Sequence, residues 1–516
     1  MKRLLALVLC LALLLCGCRL MVGVIGYEDM VYTRPDLDAA ADSARAAMEA
    51  GEAAGDHKAV LEAVWDFYEH YEEFMTAYDL AYIRYHGNQT DFYWQGEYEY
   101  CAANAPELEG YLEDIYCTLA QSPHREALEE EYFGEGWFEA YEDGGWYDDA
   151  LVERLEQEQL LIDDYYDKLS ESQELSEAEF YDAYALPLAD VLAELVVLRQ
   201  EIARDFGYDS YTDYAWDWYY CRDYTPAQAQ AYLEEIKALV PLYEQVRGMN
   251  LWAAGDVSCT EQEVFRYVRS AARAMGGEAA DAFRTLVLSE AYDISASEKK
   301  SGLSFELFLM KYRQPFVFVS GTGTRYDCLT FAHEFGHFCA DHAAGGSAAG
   351  IDVMEVFSQA MELLSLDYAE GGAYLADLKL ADSLCTFVEQ AAYAAFEQAL
   401  YRLPESELTA ANILALYEQI GTEYGFTALD WEPRDLVTVP HFYSNPMYVI
   451  SYVVSNDAAM QIYELEQQTP GAGLEIYLES LDTEQEQFLA YLEEAGLESP
   501  FGRVERVKAL MEERFG

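Results

Sequence analysis

The spacing of apolar and polar positions predicts helices over most of the chain. Between Thr409 and Gly421, apolar residues recur at every third or fourth position, which is the periodicity of one face of an α-helix. Those positions are Ile413, Leu416, Tyr417 and Ile420. We predict that Thr409 caps the start of this helix and that Gly421 ends it.

Helix-start signals recur along the chain, and strand signals are few. Residues 36–51 are alanine-rich with periodic apolar positions, and Ser176 with Glu179 has the spacing of a capping box. Thr225, followed by proline, is predicted to cap a helix over residues 227–239. The strongest strand signal is the short apolar run at residues 315–320. We therefore predict a predominantly α-helical protein.

The chain is long enough to bury a large core. Its 516 residues are expected to divide between two or more subdomains. Tyrosine is abundant, at 43 residues, and is concentrated between Tyr68 and Tyr100. We assign that cluster to core and subdomain packing rather than to a binding site.

Residues 1–17 have the layout of a targeting segment. Lys2 and Arg3 form a charged start, and residues 4–15 form an apolar run that is too short to span a bilayer. The run ends in the tetrapeptide LCGC, which resembles a bacterial lipobox with Cys18 at the lipidated position. The resemblance implies a signal peptide and a mature protein that is lipid-anchored through Cys18 to the outer side of the cell membrane. An ordinary signal peptide, or a short anchor that stays uncleaved, is the alternative.

Charge and cysteine content exclude several classes of protein. The chain has 95 acidic and 31 basic residues, a formal net charge of −64, which repels the phosphates of nucleic acids. We therefore exclude nucleic-acid binding. Seven of the ten cysteines lie beyond Cys18, scattered and without a C-x-x-C pair. Such a set describes neither a disulfide framework nor a structural zinc knuckle, and we expect free buried thiols.

The strongest chemical signal is the segment His333-Glu334-Phe335-Gly336-His337, an H-E-x-x-H motif. On a helix, residues i and i+4 lie on one face, so the two imidazoles can converge on one metal ion. Glu334 is then placed to act as general base on a water activated by that ion. Gly336 would let another helix or the substrate approach closely. The alternative is coincidental spacing on a surface helix, which the apolar neighbours of the motif oppose.

A catalytic zinc site needs a third protein ligand, and Glu355 follows on what reads as a separate helix. A metzincin would have Gly and His at the positions of Ala340 and Ala343, so that class is excluded. His342 is also available, but it turns to a different helical face from His337. The M1 aminopeptidases use a Glu at nearly the same spacing as Glu355, but the Gly-x-Met-Glu-Asn segment that they carry is absent here.

The segment from Asp352 to Glu362 resembles the second metal-site helix of the M3 peptidases, the family of thimet oligopeptidase and oligoendopeptidase F. By that resemblance, Glu355 is the third ligand of a single Zn²⁺ that His333 and His337 also bind. Glu362 shares a helical face with Glu355 and is assigned to orient a ligand imidazole, with Asp352 as a further supporting residue. The alternative for Glu362 is a solvent-exposed charge.

A further segment, from His441 to Tyr452, resembles the His/Tyr-rich stretch of the same family. By that resemblance, His441 and Tyr443 bind the substrate. Tyr448 and Tyr452 are candidate donors to the oxyanion that forms on the scissile carbonyl. Spacing does not choose between these two tyrosines.

The resemblance to M3 peptidases covers roughly residues 190–516 and implies a fold. We expect a neurolysin-like helical fold of two lobes around a deep substrate channel, with a small β-sheet beside the motif helix. We divide the mature chain into an N-terminal helical region at 18–190, which forms part of the channel wall, and a catalytic region at 191–516. In that family the strand before the motif helix pairs with an extended peptide, and residues 315–320 are placed to do so.

These features imply a zinc metalloendopeptidase that hydrolyses short unfolded peptides outside the cytoplasm. We expect one Zn²⁺ per chain and a monomer. A second interpretation is a metallo-exopeptidase, either an M32-type carboxypeptidase or an aminopeptidase. A third is a peptide-binding lipoprotein without catalysis, although such proteins usually alternate strands and helices and this chain does not.

Overall fold

The computed structural model of the protein describes residues 24–142, 144–145, 147, 149–171, 175–347, 349–428 and 431–516. The predicted signal peptide at residues 1–17 and the predicted lipidation site Cys18 lie outside these ranges. Within them, no helix is both long enough and apolar enough to cross a membrane.

The protein is 72% helical, which confirms the predicted fold class. The longer α-helices span Leu37–Glu52, His57–Gly87, Phe92–Ala120, Asp149–Glu171, Glu177–Asp205, Pro226–Ile236, Val240–Arg247, Glu261–Met275, Gly277–Ser289, Tyr326–Ala344, Ile351–Tyr368, Ala376–Leu400, Ala410–Glu423, Ile450–Gln468, Ala472–Ser480, Phe488–Glu494 and Val504–Phe515. Short helical turns lie at Arg125–Leu128, Tyr211–Tyr214 and His441–Ser444. Three helices carry the candidate site: the motif helix (Tyr326–Ala344), the carboxylate helix (Ile351–Tyr368) and the tyrosine helix (Ile450–Gln468).

Local sequence signals set several helix starts. The Ser176 hydroxyl accepts a hydrogen bond from Glu179 N, and the Glu179 carboxylate accepts one from Ser176 N, so the predicted capping box is present. Thr225 caps the helix Pro226–Ile236 in the same way. That helix ends before the predicted boundary at 239, because the backbone tightens into a 3-10 turn at Lys237–Leu239.

The predicted end of a helix at Gly421 is wrong. The helix Ala410–Glu423 begins after the Thr409 cap, as predicted, and continues past Gly421. A Cβ atom at Gly421 would lie 2.7 Å from ring carbons of Trp431, so the glycine makes room for an aromatic ring. The chain turns away at Gly425, whose φ of +82° is the left-handed conformation that favours glycine.

A three-stranded sheet lies beside the motif helix, with β1 at Tyr292–Asp293, β2 at Phe305–Leu309 and β3 at Gln314–Phe318. The strand order is β1-β3-β2, and β3 pairs in parallel with β1 and antiparallel with β2. Every residue of β3 is buried. The expectation that residues 315–320 pair with a peptide is therefore wrong, because both edges of β3 are occupied. The two outer edges of this sheet are β1 and β2.

Buried apolar residues form three clusters. The largest contains residues from Leu151 to Phe515 and surrounds the candidate site. A second cluster, between Ala44 and Tyr141, belongs to the N-terminal helices, and a small third one joins β2 and β3 to the helix His57–Gly87. The seven cysteines within the described ranges are all free, and five are buried, as expected. The division of the chain at residues 190 and 191 remains a prediction.

The motif helix and the carboxylate helix make their close contact at Gly336. A Cβ atom on Gly336 would lie 2.6 Å from the carbonyl oxygen of Phe357 and 2.6 Å from the Cα of Ser358. No side chain fits at those distances, so the glycine is what allows the two backbones to approach this closely. The close approach predicted at Gly336 is therefore present, and the carboxylate helix is the partner.

Gly336→Ala is expected to lower the free energy of unfolding by about 1–3 kcal/mol, because the added methyl group pushes the two helices apart. Urea unfolding followed by far-UV circular dichroism measures the change. Gly96→Ala is the matched control, since it also lies within a helix but has no atom within 4 Å of the added Cβ. We expect that control to be neutral or stabilising. Equal stability of the two variants would contradict the close contact.

Candidate active site

The motif helix presents His333 and His337 on one face. In its first turn, the Asp327 carboxylate accepts hydrogen bonds from two backbone N–H groups of the preceding loop. The helix ends before Gly345, whose φ of +73° breaks the helical conformation. One helical turn separates the two histidines, and their ring centroids lie 5.1 Å apart.

The side chains of His333, His337 and Glu355 converge. One potential ligand atom from each lies within 4.8 Å of the other two, and no other group of three His, Cys, Asp or Glu side chains in the described chain does so. His333 Nε2 is 3.5 Å from Glu355 Oε2, and His337 Nε2 is 3.9 Å from Glu355 Oε1. The structure thus brings together the three residues that the sequence proposed as metal ligands.

Two hydroxyl groups hold the Glu355 carboxylate. Tyr448 OH donates a hydrogen bond to Oε1 at 2.5 Å, and Ser358 Oγ donates one to Oε2 at 3.0 Å. Burial raises the pKa of Glu355, while the charge of His333 and these two hydrogen bonds oppose the rise. With both oxygens engaged, the carboxylate is fixed in one orientation toward the histidines.

A buried chain of charges orients His333. Its Nδ1 atom lies 2.9 Å from Glu362 Oε1, and Glu362 Oε2 lies 2.7 Å from Lys379 Nζ. When Nδ1–H is donated to Glu362, the Nε2 lone pair of His333 is directed toward Glu355. Burial opposes ionisation of Glu362, but Lys379 and His333 outweigh it and hold its pKa below the ordinary value. Glu362 is thus a buried partner of a ligand imidazole rather than a solvent-exposed charge.

Burial and neighbouring charges shift the pKa values of the residues around the motif. Burial tends to lower the pKa of His333, but its bond to Glu362 and the nearby Glu355 raise that pKa to about 9. Burial and the adjacent His333 hold the pKa of His337 well below its ordinary value. Burial raises the pKa of Glu334 to about 8, despite the opposing charge of His333. A carboxyl group that titrates near neutrality can both take and return a proton.

The donor set fits a zinc ion. Zn²⁺ in catalytic sites takes three protein ligands, commonly imidazole nitrogens with or without a carboxylate, and keeps one further position open. His333, His337 and Glu355 supply such a set. Hydrogen bonds orient His333 through its Nδ1 atom and Glu355 through its two carboxylate oxygens. His337 is the exception, because its Nδ1 is buried without a hydrogen-bond partner in the described part of the chain.

A cleft of about 490 Å³ opens in front of the ligand residues. Its walls come from both the N-terminal helices and the C-terminal region, as expected for a channel between helical halves. The lining residues described are Tyr82, His86, Tyr98, Gln159, Ile162, Tyr166, Leu303, Ser304, Phe305, Glu306, His333, Glu334, His337, Ile351, Met354, Glu355, Pro440, His441, Ser444, Asn445, Tyr448 and Tyr452. This described lining contains no Lys or Arg.

His441, Tyr448 and Tyr452 face this cleft together. His441 Nε2 lies 3.3 Å from Tyr452 OH, and the rings of the two tyrosines are 5.3 Å apart. Burial lowers the pKa of His441 to about 4, so the imidazole is neutral at pH 7. Burial and the charge of Glu355 raise the pKa of both phenols well above 10, so each keeps its proton and can donate it in a hydrogen bond.

The expectation that Tyr443 binds substrate is wrong. Its side chain is fully buried, its ring stacks on Tyr165 with centroids 3.8 Å apart, and its hydroxyl donates to the carbonyl of Leu188. The helical turn His441–Ser444 directs His441 toward the cleft and Tyr443 into the core. Two residues apart on a helical turn, the side chains of His441 and Tyr443 point in nearly opposite directions.

Asp352 does not support a ligand side chain as expected. Its carboxylate accepts a hydrogen bond from Tyr224 OH at 2.8 Å, accepts another from Ser451 Oγ, and lies 3.3 Å from the guanidinium of Arg222. Arg222 also donates to Ser451 Oγ at 3.0 Å. This buried network joins the carboxylate helix to the tyrosine helix, so Asp352 fixes the relative position of two site-forming helices instead.

Sequence analysis missed several residues of the site. Tyr82 and Tyr98, which we assigned to packing, line the cleft with His86. Their position depends on how the N-terminal helices dock, which no local pattern reveals. Lys379, the partner of Glu362, has a weak signal that could have found it: a single lysine placed directly between Leu378 and Leu380 of a helix.

Comparisons with known proteins agree with this fold. Residues 27–143 match the peptidase M3 N-terminal domain, and residues 167–483 match peptidase family M3. A solved structure provisionally assigned as oligoendopeptidase F is 22% identical, with a TM-score of 0.83 over 95% of this chain and 98% of that chain. PZ peptidase A, solved with an inhibitor, is 19% identical, with a TM-score of 0.81 over 95% and 98% of the two chains. None of the curated proteins matches this chain.

A provisionally assigned oligoendopeptidase F from Bacillus anthracis is also similar, at 20% identity and a TM-score of 0.79 over 95% of this chain and 98% of that one. At such identities these structures show a shared fold, whereas the family match spans more than half of the chain and includes the three candidate ligands. The chain therefore belongs to peptidase family M3 and is a peptidase.

Proposed function

We propose that the protein is a zinc-dependent endopeptidase that hydrolyses short unfolded peptides. The observation that carries the proposal is the group of His333, His337 and Glu355 in the wall of a cleft, with Glu334 beside it. Two imidazoles and a carboxylate are a donor set that zinc favours, and the described residues offer one such group per chain.

The side chains around this group have different roles in hydrolysis. A bound Zn²⁺ supplies Lewis acidity toward the scissile carbonyl and makes a water molecule acidic near neutral pH. Glu334 takes the proton as the water attacks and returns it to the leaving nitrogen. His441 is a neutral imidazole that can hydrogen-bond the substrate main chain beside the phenols.

We assign the oxyanion contact to Tyr452 and a positioning role to Tyr448. The hydroxyl of Tyr448 is engaged with Glu355 at 2.5 Å, so it sets the orientation of that carboxylate. Tyr452 OH lies 3.3 Å from His441 Nε2, and among the described residues no hydrogen bond joins it to His333, His337 or Glu355. It is therefore available to donate to a carbonyl oxygen that gains negative charge.

The edge strand β2 is suited to hold an extended substrate. β2 lies at an outer edge of the sheet, and residues 303–306 line the cleft. Main-chain pairing along this edge would give affinity with little dependence on sequence. A cleft between two helical regions admits an extended peptide and excludes a folded domain.

The charge of the cleft favours an endopeptidase over a carboxypeptidase. A carboxypeptidase has to bind the terminal carboxylate of its substrate, for which Arg or Lys is the usual partner. The described lining of the cleft contains neither residue. A substrate whose amino terminus is blocked distinguishes an aminopeptidase from an endopeptidase, because only the endopeptidase cleaves it.

We also propose that the enzyme is tethered outside the cytoplasm through Cys18. The charged start, the short apolar run and the LCGC tetrapeptide support this location. A diacylated cysteine inserts two or more acyl chains, which is sufficient for stable anchoring.

A quenched-fluorescent peptide blocked at both ends tests the function and the role of Glu334 together. We expect the wild-type chain, starting after Cys18, to cut the peptide internally, to lose activity with a chelator and to contain about one zinc per chain. Glu334→Gln should lower kcat by at least about a hundredfold while zinc stays bound, because only the proton acceptor is removed.

The exposed Glu370 provides the control, and Glu370→Gln should behave as the wild type. Bound zinc with no cleavage of the blocked peptide would contradict the endopeptidase proposal in favour of an exopeptidase. Unchanged activity of Glu334→Gln, or loss of its zinc, would contradict the role of Glu334.

The roles of Tyr448 and Tyr452 are distinguished by removing one hydroxyl group at a time. Tyr452→Phe should lower kcat about 10²–10³-fold without changing zinc affinity, because one oxyanion donor is lost. Tyr448→Phe should instead weaken zinc binding about 10–100-fold, because Glu355 loses the group that orients it. Zinc titration by competition with a chromophoric chelator, together with kcat, distinguishes the two effects. The reverse pattern would exchange the two assignments.

Cys18→Ser tests the tether. The wild-type chain expressed in bacteria should fractionate with membranes and incorporate labelled fatty acid, and the variant should do neither. Cys101→Ser, which changes a buried cysteine far from the N-terminus, should leave fractionation unchanged. Fatty-acid labelling of the Cys18→Ser chain would contradict the proposal.

A further inference from the structure

Three carboxyl groups near β2 have no basic partner among the described residues: Asp341 is buried, and Glu306 and Asp79 are half-buried. Glu306 is on β2 and lines the cleft, Asp341 is on the motif helix one turn beyond His337, and Asp79 is on the helix His57–Gly87. None of the three forms an ion pair with a described Lys, Arg or His, and each has a pKa raised chiefly by burial.

The strand register turns Glu306 toward the motif helix. Successive side chains of β2 alternate between the two faces of the sheet. Phe305 stacks on Phe318 on one face, with ring centroids 4.7 Å apart. Phe308 shares the other face with Glu306 and packs against Gly346, just beyond the motif helix. Glu306 therefore lies between the sheet and the helix that carries both histidines.

The Glu306 carboxyl group is incompletely satisfied. It lies within hydrogen-bonding reach of Asp341, whose Oδ1 accepts a hydrogen bond from Ser347 N at 2.7 Å. The Glu306 oxygen Oε1 is buried and receives no hydrogen bond from a described donor. Buried acceptors in a purely structural role are normally paired, so this oxygen points to a donor that arrives from outside the chain.

A transition-metal ion fits this position poorly. Such an ion needs three converging His, Cys, Asp or Glu side chains, and in the described chain only the group containing Glu355 provides them. An ammonium or guanidinium group needs fewer converging oxygens, because it supplies several N–H donors of its own. The cleft in front of Glu306 has no described Lys or Arg to compete for the carboxylate.

We propose that Glu306 and Asp341 form an anionic subsite that accepts a cationic group of the peptide substrate close to the scissile bond. The cation is the side chain of lysine or arginine, or the free α-amine of the peptide. The inference rests on the proposed peptidase site and names its substrate class. The net charge of −64 also draws cationic peptides toward the protein.

Paired peptides test this subsite by binding and by cleavage. Blocked peptides carry lysine or norleucine at each position around the scissile bond, and a third set carries a free α-amine with norleucine. Fluorescence anisotropy in the Glu334→Gln background measures affinity without turnover. We expect a lysine peptide, or the free-amine peptide, to bind at least about tenfold tighter than the blocked norleucine peptide. The peptide set that binds more tightly shows whether the cation is a lysine side chain or the free α-amine.

Adding Glu306→Gln should remove that preference, and Asp341→Asn should reduce it. The matched control is Glu298→Gln, an exposed glutamate in the loop before β2, which should keep the preference. Glu306→Lys provides a second arm, because it should reverse the preference toward peptides with aspartate at the same position. Equal affinity for lysine, norleucine and free-amine peptides, or an unchanged preference in Glu306→Gln, would overturn the subsite.

Cleavage of the norleucine peptide by the wild-type chain is measured separately from affinity. If that peptide is cut without any preference for a cation, the endopeptidase function stands and the subsite is overturned. If cationic peptides bind preferentially but no blocked peptide is cut, the subsite stands and the endopeptidase function is overturned.

Discussion

The close contact of two helices at Gly336 is the constraint on which the site depends. His333 and His337 come from one helix and Glu355 from the other, so the distances among their ligand atoms follow from how closely the backbones approach. The buried ion pair of Arg222 with Asp352 then fixes the tyrosine helix against the carboxylate helix. The position of each catalytic candidate is thus set by backbone packing, and its own flexibility contributes little.

Charge balance is the second organising feature, and it is unequal across the site. Glu362 is compensated by Lys379, which keeps it ionised as a partner of His333. One turn beyond His337 on the motif helix, Asp341 and the nearby Glu306 have no such compensation from a described residue. In the same low-dielectric interior, the charge of Glu362 is therefore neutralised by a lysine, whereas Glu306 and Asp341 have no described cation beside them. The paired carboxylate orients a side chain of the site, and the unpaired carboxyl groups form the proposed binding subsite.

The sequence predicted what local chemistry determines. Helix caps at Ser176 and Thr225, the metal-ligand motif and the glycine contact at Gly336 each depend on neighbouring residues and were visible without a structure. The strand predicted at residues 315–320 is present as β3, but its role in pairing with a peptide and the substrate role of Tyr443 are wrong, because strand order in a sheet and side-chain direction in a short turn are tertiary properties. The cleft contributions of Tyr82 and Glu306 were hidden for the same reason.

Drawing the ligand set from two helices links metal supply to the lifetime of the protein. The unfolded chain does not hold His333, His337 and Glu355 in a converged arrangement, so a cation bound by all three favours the native state. At a free concentration about a hundred times its Kd, such a ligand stabilises the native state by about 2.7 kcal/mol. A metal-starved cell would therefore hold a less active enzyme that also unfolds more often and is degraded sooner.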